Sequence, residues 1–385
     1  MLTRHFVLVF LALFAFLTAN YSLIPTLPIY FSRLGSAEME IGVLVGIFGA
    51  SSVVFRLVVG SALLKYSEKI VMMFGALLFA FTFLASIVLR PFWPFFAVRF
   101  FQGIAFACTD TAALALIIKV TPTANRGRAL GYFVLAPVFS QAIAPSLGMF
   151  LVDKYGFAVL FLICTGLSLC AFSFSWNLKA QETVKPDKET SAHDSFFLER
   201  KIVVPGILSF LQQFVWGGLM AFFSLYAIKC GVTNPGFFFS AVAVMLMAGR
   251  IMGGRVFDAY SEEKIIFVCI LTSIAAMVIL SFSKTLSMFI FVGLLWGAGS
   301  AFFFPASMAY ALDYADSSGG TAVGTFRALS DLGLALGPMI VGIIIPLTGY
   351  RAMFLCLAFV CLINLAYFQL YVRKRHNVSV RFVRD

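Results

Sequence analysis

The sequence predicts an all-α membrane protein with twelve transmembrane helices in two pseudo-symmetric six-helix bundles. The composition, the number of long apolar segments and an internal repeat predict this fold class. The 385 residues are 61% hydrophobic and 12% charged, and 46 of them are Phe, which is more apolar surface than a soluble core can bury. The chain is therefore expected to lie in a lipid bilayer.

Twelve apolar segments are each long enough to cross about 30 Å of hydrocarbon. They lie near residues 6–31, 41–64, 70–89, 95–118, 129–152, 157–177, 202–228, 236–257, 265–283, 287–311, 321–347 and 351–372. The polar segments between them are short, apart from one near residues 179–201, which is rich in charge, Ser and Thr. That composition favours a flexible linker over a further domain.

Lys and Arg in the loops predict the orientation. With both termini in the cytoplasm, 18 of these residues fall on the cytoplasmic side and 6 on the other side, which is the bias that membrane proteins show. We predict a multi-pass protein of the cytoplasmic (inner) membrane. The net charge of +11 reflects this bias and a basic tail, Arg373-Lys374-Arg375, that can contact anionic headgroups. It implies no nucleic acid partner.

The internal repeat relates the two halves of the chain. Residues 55–70, FRLVVGSALLKYSEKI, return as residues 249–264, GRIMGGRVFDAYSEEK, and a recurrence of this length indicates duplication of one unit. We place an N-terminal six-helix bundle at 1–178, a cytoplasmic linker at 179–201, a C-terminal six-helix bundle at 202–373 and a cytoplasmic tail at 374–385. Two parallel repeats of this kind are typical of secondary transporters.

Specific motifs add a family resemblance. The second copy of the repeat carries Gly254, Asp258 and Lys264. The first copy carries Gly60, but Leu64 stands at the position that matches Asp258. The fourth apolar segment reads Arg99-x-x-Gln102-Gly103. In these motifs, and over essentially its whole length, the chain resembles the major facilitator superfamily, and within it the drug–proton antiporters. In the fifth segment Ala144-Pro145 stands where antiporters have Gly-Pro, which leaves uptake open as an alternative to export.

The resemblance implies a central cavity between helices 1, 4, 7 and 10. Amides and aromatic side chains suit an amphipathic organic ligand, and we expect the cavity to be lined by Asn20, Tyr21, Tyr30, Arg99, Gln102, Gln141, Gln212, Gln213, Trp216, Tyr226 and Trp296. Arg99 has an alternative role as a packing residue whose guanidinium is satisfied by backbone carbonyls.

Two buried charges of opposite sign lie at similar depth in different halves. Arg56 is about 12 Å and Asp331 about 15 Å from the cytoplasmic ends of their helices at 1.5 Å per residue, and unpaired charges are costly in lipid. We expect an Arg56–Asp331 bridge that closes the cytoplasmic side and breaks when Asp331 takes a proton. A permanent pair without coupling is the alternative, and Arg327 is a competing partner.

Asp110 is a second candidate for proton coupling. In the alternative interpretation it makes a polar contact to helix 2, where it competes for Arg56. Asp258 and Gly254 are predicted gate residues, as are Arg56, Gly60 and Arg327. Asp258 can accept hydrogen bonds from the N-terminus of helix 5, near residues 127–131. The alternative is a loop carboxylate next to Arg255.

The sequence predicts no enzyme. It contains no phosphate-binding loop and no zinc motif, and the spacing of its seven Cys implies neither a metal site nor a disulfide framework. We predict a cofactor-free, metal-free monomer whose partners are a small-molecule substrate, protons and the lipid bilayer. The predicted function is proton-coupled export of a small amphipathic molecule. The alternatives are uptake of a metal-chelate, sugar or nucleoside, and a receptor or assembly factor that does not transport.

Overall fold

The computed structural model describes residues 4–89, 92–121, 131–178, 200–313 and 319–372. The predicted tail and all but the last two residues of the predicted linker lie outside these ranges. So do residues 127–130, where we expected the start of helix 5.

The described residues form long helices, as their apolar composition requires in a bilayer, where backbone groups must bond within the segment. The bounds are α1 Arg4–Arg33, α2 Glu38–Ala62, α3 Glu68–Val88, α4 Phe92–Val120, α5 Leu135–Tyr155, α6 Phe157–Trp176, α7 Arg200–Lys229, α8 Gly236–Ala259, α9 Glu262–Phe282, α10 Leu286–Leu312 and α11 Gly319–Tyr367, followed by a short π-helix, Phe368–Val372.

In the described part of the chain, eleven helices are long and apolar enough to cross a membrane. The difference from the predicted twelve arises at α11, which has 49 residues and covers both of the last two apolar segments. Gly349 lies inside it with non-helical φ 77° and ψ 169°. The equivalent position in the first half, Gly156, has φ 86° and ψ 173° and separates α5 from α6.

Helix contacts fall into two sets. In the first half α1 contacts α5 and α6, and α3 contacts α4 and α6; in the second half α7 contacts α11, and α10 contacts α8 and α9. The two sets meet where α2 contacts α11, α5 contacts α8 and α1 contacts α7. We call the side where α1 ends and α2 begins the outer side, and the opposite, predicted cytoplasmic side the inner side.

Glycines bring α2 and α11 together at the outer side. A Cβ at Gly42 would overlap the Pro338 carbonyl oxygen and lie 3.3 Å from Cα of Gly342, and a Cβ at Gly46 would lie 2.6 Å from the Ala335 carbonyl oxygen. Such small residues permit close backbone approach between membrane helices. We call this contact the glycine seam.

The outer contact between α5 and α8 is polar. Ser240 Oγ donates to the Ala142 carbonyl at 2.6 Å, the Ser146 and Ser240 hydroxyls lie 2.9 Å apart, and Asn234 Nδ2 donates to the Ser146 carbonyl at 3.3 Å. Pro145 lacks an N–H, and Ala142 lies one turn before it, where the helical hydrogen bonds are perturbed. We call this contact the serine clasp.

Candidate functional site

A cavity of about 310 Å³ lies between α1, α2, α4, α5, α7 and α11. This central cavity is mainly apolar, but its wall includes eight of the residues predicted for the site, namely Asn20, Tyr21, Arg56, Arg99, Gln141, Gln213, Trp216 and Asp331. On α2 and α11, Arg56 and Asp331 are the lining residues closest to the inner side. The charged groups therefore lie at the inner end of the cavity.

Arg56 is placed between two carboxylates. Its Nη2 donates to Oδ2 of Asp110 at 3.1 Å and its Nη1 lies 3.6 Å from Oδ2 of Asp331. The three side chains are 26–29% exposed, and two of them, Arg56 and Asp331, line the cavity. We call Arg56, Asp110 and Asp331 the charged trio. With both acids ionised, the trio carries a net charge of −1.

The contact between Asp110 and Arg56 corresponds to the alternative stated for Asp110, in which this residue of helix 4 competes with Asp331 for Arg56. The Arg56–Asp331 contact joins the two halves, whereas the other ion pairs among the described residues, Arg56–Asp110 and Lys119–Glu68, lie within the first half. Arg56 Nε is buried and has no hydrogen-bond partner among the described residues. Arg56 therefore supplies the cation of the one ion pair that joins the halves in the described structure. A change in either carboxylate alters the contacts of its guanidinium.

The remaining predicted gate residues lie apart from the trio. Arg327 is exposed and forms no ion pair within the described ranges, although it is one turn from Asp331. Asp258 is also exposed and has neither a hydrogen bond nor an ion pair to any described residue. A Cβ at Gly60 or Gly254 would meet no atom within 4 Å. The inner ends of α2 and α8 are thus less closely packed at these positions than the outer glycine seam.

Arg99 is buried and its hydrogen bonds are made within the first half. Nε donates to the Leu44 carbonyl at 3.0 Å, Nη1 donates to Oε1 of Gln102 at 2.8 Å, and the guanidinium lies 4.5 Å from the centre of the Phe48 ring. These contacts match the packing alternative for Arg99, although the residue also lines the central cavity. Gln102 is 1% exposed and holds Arg99 without lining that cavity.

A second cavity of about 180 Å³, the side cavity, lies between α5, α7, α8 and α10. Gln212 and Trp296 line the side cavity only, whereas Gln141, Gln213 and Trp216 line both cavities. The sequence thus identified residues of both cavities but did not separate the two.

Besides Gln102, two further predicted cavity residues, Tyr30 and Tyr226, line neither cavity. Tyr30 OH donates to the Ser86 carbonyl at 3.4 Å, and its repeat partner Tyr226 donates to the Ser283 carbonyl at 2.7 Å. Both rings are surrounded by other aromatic rings. The structure therefore gives these tyrosines equivalent packing positions in the two halves.

Several lining residues escaped the sequence interpretation, including Phe48, Ser52, Met220 and Pro338. Ser52 and Phe48 lie four and eight residues before Arg56, so they share its helix face. That spacing could have identified them once Arg56 was assigned to the cavity. Met220 carries no comparable signal, since one Met in an apolar helix does not indicate a binding wall.

The first turn of α3, at the end of the first copy of the repeat, is held by its own half. Lys119 Nζ lies 3.1 Å from Oε1 of Glu68, and Lys69 Nζ donates to the Leu178 carbonyl at 2.7 Å. Lys69 Nζ also lies 5.8 Å from the centre of the Trp176 ring. These contacts tie the inner ends of α3, α4 and α6 together.

Comparison with known proteins gives a consistent result. A family profile described as Major Facilitator Superfamily matches residues 9–276 and 206–384. Over 362 residues the chain is 23% identical to the staphylopine export protein of Staphylococcus aureus, covering 88% of this chain and 89% of the relative. Over 394 residues it is 26% identical to the multidrug resistance protein MdtG of Klebsiella pneumoniae, covering 94% and 95%.

A solved structure of a variant of the nucleoside transporter NupG superimposes with a TM-score of 0.83. It covers 95% of this chain and 99% of the other, at 15% identity. At that identity the likeness concerns the fold.

Proposed function

The chain belongs to the major facilitator superfamily, and on that premise we propose that this secondary transporter exports a small amphipathic organic molecule in exchange for protons. The names of the two relatives support export, since one is an export protein and the other a multidrug resistance protein. The single observation that carries the coupling part is the charged trio, in which one cation is shared between acids of both halves.

We propose that the transporter has twelve spans in two six-helix halves, with both termini on the cytoplasmic side of the inner membrane, and works as a monomer. A helix of 49 residues is about 74 Å long at 1.5 Å per residue, more than twice the hydrocarbon thickness. Division of α11 at Gly349 gives two ordinary spans. Matching left-handed glycines at Gly156 and Gly349, and at Gly35 and Gly231, support the repeat. These features support the proposed six-helix bundles at 1–178 and 202–373, with a linker at 179–201 between them and a tail at 374–385.

The proposed coupling step concerns the net charge of the trio. With Arg56 and both acids ionised the trio carries −1, so it attracts one further cation. A proton on Asp331 neutralises the trio and removes the attraction that joins α2 to α11 at the inner end of the cavity. Loss of that attraction favours separation of the halves on the inner side. Release of the proton restores the Arg56–Asp331 pair.

The gates follow from the difference between the two sides. The glycine seam and the serine clasp hold the outer ends together, while Asp258 lies exposed at the inner end of α8. Asp258 is proposed to contact the start of helix 5 when the inner side closes, because a carboxylate is stabilised by the positive end of a helix. Gly254, one turn away, leaves room for that approach.

Reconstitution into proteoliposomes tests the proposal. Candidate substrates come from comparing metabolites inside and outside cells with and without the protein. Accumulation of a compound on the side of higher proton concentration supports exchange. Movement of the compound together with protons supports the alternative, uptake by symport, which the Ala144-Pro145 sequence in helix 5 leaves open. Flux that ignores the proton gradient contradicts both coupled forms.

A further inference from the structure

The side cavity differs from the central cavity in its chemistry. The central cavity contacts charged groups of the trio, whereas the residues of the side cavity are all neutral: three glutamines, two serines and apolar or aromatic side chains from α7, α8 and α10. Gln141, Gln213 and Trp216 form the partition, because each lines both cavities. A molecule that fills both spaces therefore meets charge at one end and neutral hydrogen-bonding groups at the other.

The size and walls of the side cavity favour one planar ring. A cavity of about 150 Å³ holds benzene, and the side cavity has about 180 Å³. The rings of Trp216 and Trp296 are nearly parallel, with centroids 5.8 Å apart and an interplanar angle of 13°. Trp296 is 1% exposed, Trp216 is half-buried and both indoles line the side cavity, so the pair offers a fixed aromatic surface on which a ring can stack.

The polar groups of this cavity include an acceptor without a donor. Ser273 Oγ donates its only proton to the Cys269 carbonyl at 2.9 Å, so it must accept from Gln212 Nε2, which lies 2.7 Å away. This fixes the orientation of the Gln212 amide. Its Oε1 is consequently left buried with no hydrogen-bond partner among the described residues, which is unfavourable for a buried acceptor.

Gln141 and Gln213 add further capacity at the partition. Neither side chain makes a hydrogen bond to another described residue, and both are only partly buried. Each amide offers a donor and an acceptor. The side cavity therefore combines a stacking surface, a buried acceptor and two adaptable amides.

We infer that the side cavity is a separate subsite for a planar heteroaromatic ring with an N–H donor, joined in the substrate to a polar or charged part that occupies the central cavity. This inference rests on the proposed function, because it specifies the class of molecule that the transporter carries. The ring stacks on Trp216 and its N–H donates to the amide oxygen of Gln141 or Gln213 at the partition, neither of which is bonded to another described residue. The charged side chains that line the central cavity, Arg56, Arg99 and Asp331, favour a polar or charged group at the other end.

Binding of benzimidazole to the purified full-length chain tests the subsite. The chain has four Trp, of which Trp93 and Trp176 are 74% and 61% exposed. The double variant Trp93→Phe, Trp176→Phe therefore leaves Trp216 and Trp296 as the fluorescent reporters. We expect saturable quenching by benzimidazole, and at least about tenfold weaker binding of 1-methylbenzimidazole, because methylation removes the N–H donor while retaining the ring.

Matched variants locate the binding. Ser300→Leu fills the side cavity alone and is expected to abolish quenching, whereas Val53→Phe fills only the central cavity and should leave it. Leu246→Phe is a second filling variant, and thermal unfolding checks that each variant is folded. Equal affinity for the two probes, no saturable binding, or unchanged quenching in folded Ser300→Leu and Leu246→Phe would overturn the inference. Since no gradient is needed, this result is independent of whether proteoliposomes exchange substrate for protons.

Discussion

The Nη1 atom of Arg56 on α2 lies 3.6 Å from Oδ2 of Asp331 on α11. Within the described structure this is the one ion pair between the two halves, and Asp110 shares the same guanidinium at a shorter distance of 3.1 Å. Arg56 is thus held firmly by its own half and more loosely by the other. An ion pair of this kind can open toward Asp331 while Arg56 keeps one partner.

Asp331→Asn removes the proposed proton acceptor. We expect uphill exchange in proteoliposomes to be lost and downhill movement of the same compound to remain, with little dependence on pH, because the amide neither ionises nor pairs with Arg56 as a charge. Flux is measured over a series of pH gradients. Asp153→Asn is the matched control, because this carboxylate is exposed and lies near the outer end of α5. Transport by Asp331→Asn that equals the unmodified chain at every pH contradicts the coupling role.

Arg56→Gln leaves Asp110 and Asp331 without their shared cation. We expect it to lower the free energy of unfolding by about 2 kcal/mol, less than the loss for a fully buried pair because the three side chains are partly exposed. Thermal unfolding in detergent measures the loss. Adding Asp110→Asn removes one of the unpaired charges and should restore part of the stability. A double variant no more stable than Arg56→Gln alone would argue against the charge account.

Gly42→Ala tests the glycine seam. The new methyl group overlaps the Pro338 carbonyl, and overpacking of this kind costs about 1–3 kcal/mol. We expect a lower unfolding temperature, or a shift toward conformers open on the outer side. Gly60→Ala on the same helix is the control, since its Cβ meets no atom within 4 Å. Equal effects of the two substitutions would show that the seam is not a close contact.

The serine clasp can be locked covalently. In a background from which the seven native Cys are removed, Ser146→Cys with Ser240→Cys places two thiols where the hydroxyls lie 2.9 Å apart. We expect oxidation to cross-link them and to stop transport, because the outer ends of α5 and α8 cannot separate. Reduction should restore flux, and each single cysteine variant should be insensitive to oxidant. Full transport by the cross-linked protein would show that this contact need not open.

Helix depth was sufficient to predict that Arg56 and Asp331 approach each other, because the distance of each residue from its helix end follows from a constant rise. The third member of the trio could not be chosen in this way. Whether Asp110 lines a cavity or contacts helix 2 depends on helix rotation, and helix 4 is apolar over much of its circumference. The structure brings Asp110 to Arg56.

Tyr30 and Tyr226 show a second limit of the sequence. Their repeat relationship was visible in the sequence, but a tyrosine at a helix end can bind a ligand or donate to a nearby carbonyl with equal ease. The partners, Ser86 and Ser283, are more than fifty residues away, so no local pattern reveals them. Similarly, the last two predicted segments are separated by the single non-helical residue Gly349, so no polar loop in the sequence marks the turn between them.

The contacts of Glu68 and Lys69 have a mechanical consequence. They fasten the first turn of α3 to α4 and to the chain just after α6. Asp258, in the second copy of the repeat, has neither a hydrogen bond nor an ion pair to any described residue. We therefore expect the inner ends of α3, α4 and α6 to move as one unit, and Asp258 to make a contact across the halves when the inner side closes.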